Sequence, residues 1–191
     1  PVSQKYFWTS DYHFNHTNVI QYSNRPFATV QEMNDVMIRN HNSVVGRNDM
    51  VFILGDFAFA KPGEIEAIVQ QLNGQKYLIF GNHDKTIRKN KQLQSHFVKC
   101  VDYLEHTIKL SPTEKQYVVM SHYAHLTWNR KHHGAWMLHG HSHGTLTYPF
   151  EGKIMDVGVD VHNYTPISFE QIQQHMSAKN VGVPLDHHVG E

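Results

Sequence analysis

The chain has 191 residues, 40% of them hydrophobic and 12% aromatic, enough to bury one core without disulfide or metal staples and too apolar for a disordered protein. Its 17 Lys+Arg and 17 Asp+Glu cancel to a formal charge of zero, which argues against a general nucleic-acid-coating or membrane-surface protein. One cysteine rules out an internal disulfide, and no apolar run approaches the ~18–20 residues of a membrane span.

The opening PVSQKYFW has no basic region followed by an apolar stretch, so no signal peptide is expected and the expected setting is the cytoplasm. Residues 5–9 form the first strand-like run. Thr29-Val-Gln-Glu32 reads as a capping box, and Met33, Val36 and Met37 follow at helical spacing. A second strand is expected over 50–54. A helix opens at Pro62-Gly-Glu64, presents Ile65, Ile68, Val69 and Leu72, and ends at Asn73-Gly74. Further strands are expected over 76–80, 116–120 and 135–139, with weaker ones in 98–109, 144–149 and 153–159. The five stronger runs are almost continuously apolar, as in strands covered on both faces. Cys100, alternating with Val98 and Asp102, reads as a buried strand thiol. Ser168-Phe-Glu-Gln171 caps a short last helix, and residues 179–191, with His187 and His188, read as a tail on a single domain spanning 1–191. The alternation predicts a layered α/β domain.

Histidine is the compositional anomaly, with 17 residues. Five polar clusters follow apolar runs: Asp11-Tyr-His13, Gly55-Asp56, Gly81-Asn-His-Asp84, Ser121-His122 and Gly140-His-Ser-His143. Each alone is an ordinary turn. Together they sit where layered α/β proteins gather ligands, at the ends of rigid strands. In Asp-x-His and His-x-His an extended backbone puts both outer side chains on one side, within reach of one ion. The donors are Asp, His and Asn without sulfur, a set for Mn²⁺, Fe²⁺ or Zn²⁺. Seven such ligands exceed one tetrahedral ion and fit two ions that share a carboxylate.

This ordered set resembles the calcineurin-like metallophosphoesterase superfamily, over residues 5 to 160. TSDYHFNH, RPF followed by EMN, and VGVDVHNYTPIS also resemble its small prokaryotic and phage members. The resemblance implies a four-layer αββα sandwich with two metals at one edge. Asp11, His13 and His143 would bind the first ion with Asp56, which bridges to a second held by Asn82, His122 and His141. It implies that His83 stabilises the departing oxygen, that Asp84 orients and helps protonate that imidazole, and that a metal-bridging hydroxide attacks the phosphate ester. Asp156 and Asp160 would support the site.

Beside these, His16 is either a substrate contact or a loop histidine, and Arg25 either grips phosphate or ties down its loop. Trp128 and Arg130, in YAHLTWNR, either touch substrate or pack. Lys85, Arg88, Lys89 and Lys91 form a solvated helix face or draw in anions. Without room for a cap domain the site is expected to be open, which favours a phosphodiester or nucleotide over a gated monoester. A stable nucleic-acid partner is not expected. The alternatives are a metal-dependent nuclease with the same ligands, and a non-catalytic interaction scaffold. An amidohydrolase would carry its His-x-His on the first strand, where Asp-x-His stands here.

Overall fold

The computed structural model describes residues 3–186. His187 and His188 lie outside the described residues. The chain runs β1 (Tyr6–Thr9), α1 (Thr17–Tyr22), α2 (Val30–Val44), β2 (Met50–Ile53), α3 (Pro62–Gln71), β3 (Gln75–Ile79), α4 (Lys85–Arg88), α5 (Lys91–Gln94) and β4 (Lys99–Val101). Then come β5 (Tyr103–Lys109), β6 (Lys115–Ser121), β7 (Trp136–His139), β8 (Ile154–Asp156), β9 (Ile167–Ser168) and α6 (Phe169–Ser177).

Two sheets result. The first has the order β4-β3-β2-β1-β9, parallel except for β9, and the second has the order β5-β6-β7-β8. In the second, β5 is antiparallel to β6 and the rest are parallel. The strand-to-helix alternation creates the parallel order, because each crossover returns the chain to the same end of the sheet.

Alternate side chains of the first sheet serve two cores. Phe7, Val51, Ile53 and Leu78 pack under Met33 and Met37 of α2 and Ile65 and Val69 of α3. Trp8, Phe52, Leu54 and Ile79 point the other way and meet Val118, Met120, Trp136 and Leu138 of the second sheet. Burial on both faces is why these strands are apolar at every position. Phe169, Ile172 and Met176 of α6 join the core between the sheets. The outer face of the second sheet, with Val119, Met137 and Ile154, is covered by Trp128, Tyr148 and Phe150 from loops and by the 3₁₀ turn Lys131–His133.

The capping box at Ser168 forms in full, whereas at Thr29 only the side-chain half forms and Glu32 Oε2 accepts from the Ala28 amide instead. Thr29 Oγ1 accepts from the Glu32 amide at 3.1 Å and Ser168 Oγ from that of Gln171 at 3.2 Å. Residues 98–109 divide into β4 and β5, which belong to different sheets, so this segment carries the chain from one layer to the other. Residues 144–149 are not a strand. Gly144 turns, its amide donating to Asp156 Oδ2 at 2.9 Å, and Tyr148 reaches back to His139 Nε2 at 2.6 Å. Cys100 is half-buried in β4, where burial pushes its thiol up to about 12. Among the described residues no helix is long and apolar enough to cross a membrane.

Candidate metal centre

The parallel strands β1, β2, β3, β6 and β7 all release their loops at one edge, and those loops carry the five polar clusters. Ligand atoms of Asp11, His13 and His143 lie within 4.8 Å of one another, as do those of Asp56, His122 and His141. Asp56 joins the two groups: its Oδ2 is 3.6 Å from His13 Nε2 and 3.3 Å from His122 Nε2. Asn82 Oδ1 lies 3.1 Å from His122 Nε2, so all seven expected ligands converge.

The backbone is bent to achieve this. Asp11, His13, Asp56, His141 and His143 all have φ between 46° and 67°, the left-handed region that non-glycine residues seldom occupy. Such conformations persist where surrounding structure holds them, and they gather at functional sites. The loops also lie against each other. A Cβ at Gly55 would stand 2.5 Å from His122 Nδ1, and one at Gly81 would collide with Asp56.

The donor set fits metal binding on an independent observation. Asp11 Oδ1 and His13 Nε2 are buried without a hydrogen-bond partner, and they are 3.8 Å apart. Orphaned buried polar atoms destabilise a fold unless something satisfies them, and a cation between a carboxylate and an imidazole does so. Charge balance gives the same picture. Burial opposes ionisation of Asp56, but His122, the His83 amide and His13 outweigh it and hold the carboxyl at about 2. Burial likewise opposes a charge on His122, yet Asp56 and Asp11 raise it to about 9. His122 thus holds a proton where a cation would sit, and metal binding would displace it.

The supporting groups orient the ligands. His122 Nδ1 faces the Leu54 carbonyl at 2.6 Å, and His143 Nδ1 faces Asp160 Oδ2 at 2.6 Å, leaving both Nε2 atoms toward the cluster. His13 Nδ1 meets His16 Nδ1 at 3.0 Å. Burial and the neighbouring His13 lower His16 to about 4, so His16 is neutral near pH 7. Asp156 accepts from the Gly144 and Gly158 amides, fixing the turn behind His143.

Several expected roles are corrected. Asp84 does not pair with the His83 ring. Its buried carboxylate accepts from the amides of Asp56 (2.8 Å), Phe57 (2.9 Å) and Gly81 (2.6 Å), clamping the loops after β2 and β3 together. Arg25 does not face substrate. It is buried, with Nη1 donating to the Tyr12 carbonyl, Nη2 to the Asp11 carbonyl, and Nε and Nη2 to Asp160. Trp128 is core: its Nε1 donates to the Ala135 carbonyl at 2.9 Å on the outer face of the second sheet. Arg130 lies 4.3 Å over the Tyr117 ring on that same sheet. Neither lines the cavity at the metal cluster.

That cavity, of about 710 Å³, is lined by His13, His16, His83, His141 and His143 together with Tyr22, Phe59 and Leu146. His83 packs on Phe59 with ring centroids 4.6 Å apart, and His16 stacks on the same ring at 4.0 Å. Phe59 escaped the sequence reading, although D-F-A-F alternates and puts Phe57 in the core and Phe59 in the open.

No protein-family model matches the chain. Among curated proteins, the uncharacterised protein MJ1445 of Methanocaldococcus jannaschii is 36% identical over 176 residues, 88% of this chain and 89% of its own length. The gene 66 protein of Mycobacterium phage L5 is 26% identical over 178 residues, 81% of this chain and 86% of its own. Among solved structures, a protein of unknown function from Aquifex aeolicus shares the fold with a TM-score of 0.66 at 23% identity, covering 91% of this chain and all of that one. With identity of this level to MJ1445 along nearly the whole of both chains, the protein belongs to the family of MJ1445.

Proposed function

We propose that the protein is a dinuclear metal-dependent phosphoesterase, hydrolysing a phosphodiester or nucleotide. The observation that carries this reading is the pair of buried, unpartnered atoms Asp11 Oδ1 and His13 Nε2, with Asp56 Oδ2 standing between His13 and His122. Two divalent ions, Mn²⁺, Fe²⁺ or Zn²⁺, would supply activated water and neutralise the phosphate oxygens. The chain's own residues do the rest. Asp11, His13 and His143 would hold one ion and Asn82, His122 and His141 the other, with Asp56 available to both. The His83 amide donates to Asp56 Oδ1 at 2.9 Å, which anchors the residue while its ring stays in the open cavity. From there the imidazole N–H donates to the leaving oxygen. The lone half-buried cysteine, without a disulfide partner among the described residues, fits a reducing cytoplasmic setting.

The test is reconstitution with Mn²⁺, Zn²⁺, Ni²⁺ and Mg²⁺, followed by assay on phosphomonoesters, phosphodiesters and nucleotides. The expected result is two bound ions and hydrolysis that vanishes on chelation. In Asp56→Ala both ions and activity should be lost; a variant with two ions and full turnover refutes the shared carboxylate. A wild-type protein holding two ions but cleaving no substrate refutes the enzymatic reading.

A further inference from the structure

Large apolar groups stand exposed on both flanks of the metal centre. Beside the Asp11–His13–His143 group, Tyr22 is 76% exposed, and Phe59 and Leu146 are 40% and 44% exposed. Tyr22 meets His16 edge-on at 6.3 Å. Beside the Asp56–His122–His141 group, Tyr123 is 49% exposed, its ring 5.1 Å from that of His122 and 4.6 Å from that of His141. The ring contacts of Phe59 are with His13, His16 and His83, whereas those of Tyr123 are with His122 and His141. Exposed apolar surface next to a polar site marks where an apolar part of a ligand rests. A phosphomonoester has one organic group and needs one such flank. A diester has two.

We propose, building on the phosphoesterase reading, that the substrate is a short nucleoside phosphodiester, one phosphate joining two nucleosides. The leaving nucleoside lies in the cavity against Tyr22, Phe59 and Leu146, the side on which His83 stands. The retained nucleoside stacks on Tyr123. Flat rings suit both places, since base-on-aromatic stacking tolerates any base. The formal charge of zero favours a short substrate, because a long strand needs a track of cations for its phosphates. In the reaction a water oxygen bonds to phosphorus, and the P–O bond to the leaving nucleoside breaks with its electron pair on the departing oxygen. His83 supplies the proton that makes that oxygen a hydroxyl, and the proton lost by the water restores the imidazole. Water is the only co-reactant, and the products are a nucleoside monophosphate and a nucleoside.

Tyr22→Ala and Tyr123→Ala test this in the metal-reconstituted full chain. Three substrates are compared: a dinucleoside monophosphate, a nucleoside methyl phosphodiester with one base, and a single strand of twenty nucleotides. We expect wild type to favour the dinucleoside monophosphate over the methyl diester. We expect each variant to lose about tenfold of the dinucleotide kcat/KM, and the double variant about a hundredfold. In parallel, calorimetry on the Zn²⁺-loaded protein with a dinucleoside phosphorothioate should show Kd rising about tenfold in each variant. Unchanged Kd and kcat/KM in both variants overturn the proposal. Loss in only one variant overturns its two-sided form. A tenfold preference for the twenty-nucleotide strand overturns the short-substrate assignment. Tyrosine-dependent binding without cleavage of any substrate would uphold the subsites and sink the enzymatic reading instead.

Discussion

The carboxylates and imidazoles around the candidate metal centre separate into groups that face the cavity and groups that hold the loops, and adjacent residues fall on opposite sides of that line. His83 and Asp84 show it most directly. His83→Ala leaves the ligand geometry in place, so metal content should stay at two ions while turnover falls by roughly 10²–10⁴, the usual range for a general acid. Elemental analysis and steady-state kinetics on one preparation check this, and unchanged turnover removes His83 from the mechanism. Asp84→Asn should behave in the opposite way. Its carboxylate takes three buried amides, and an amide in its place turns one end into a donor facing donors. Hydrogen bonds to a charged group contribute roughly 1.5–3 kcal/mol each. The variant should therefore unfold earlier in urea, by about 3 kcal/mol or more, and bind its second ion weakly because Asp56 and Asn82 lose their common anchor. Equal stability and full metal content would show that the clamp is dispensable.

At the scale of elements, the strands that carry ligands were legible because burial on both faces writes an unbroken apolar run, and because each ligand follows its strand within a few residues. The residues that converge at the strand edge were legible for the same local reason. What the sequence hid was non-local. Arg25, Trp128 and Arg130 have the chemistry of substrate contacts, but tertiary packing spends them on Asp160, on Ala135 and on the Tyr117 ring. Asp84 likewise binds backbone 27 and 28 residues away. Short elements such as β9, α4 and α5 have too few residues to show a period, and 144–149 alternates like a strand although Leu146 faces the cavity. Glycines separate by the same distinction between local and tertiary demands. Gly63, in the first turn of α3, has open space around a built Cβ, so Gly63→Ala should stabilise the protein by roughly 0.5–1 kcal/mol through backbone entropy. Gly81→Ala drives a methyl into Asp56 and its amide and should abolish binding of both ions. Thermal melts and metal analysis of the two variants distinguish these outcomes, and a Gly81→Ala protein with two ions would contradict the packing described.

For the molecule as a whole, one link between the strand edge and the helical layer runs through a buried histidine. Tyr12, between Asp11 and His13, meets His41 Nδ1 of α2 at 2.5 Å, and His41 Nε2 faces the Asn73 carbonyl after α3 at 2.8 Å. Nε2 must carry the proton given to Asn73, so Nδ1 accepts from the Tyr12 hydroxyl and the ring is neutral. Burial, reinforced by Lys76 and only partly opposed by Asn73, lowers His41 to about 4 from an ordinary 6.5. Between those values the unfolded chain binds a proton that the folded protein refuses. Stability therefore rises with pH across this window, is fully present above about 6.5, and is lost as pH falls toward 4. The contribution of His41 is on the order of 3 kcal/mol. Half-buried His16, also lowered to about 4, adds a change of the same sign. Urea unfolding of the metal-free protein at intervals from pH 4 to 7.5 should trace this loss. His41→Leu should be less stable at pH 7, because the Tyr12 hydroxyl and the Asn73 carbonyl lose their partner, but its stability should fall less steeply with acid. Identical pH slopes in wild type and variant would mean that His41 is not the group that couples the helical layer to acid.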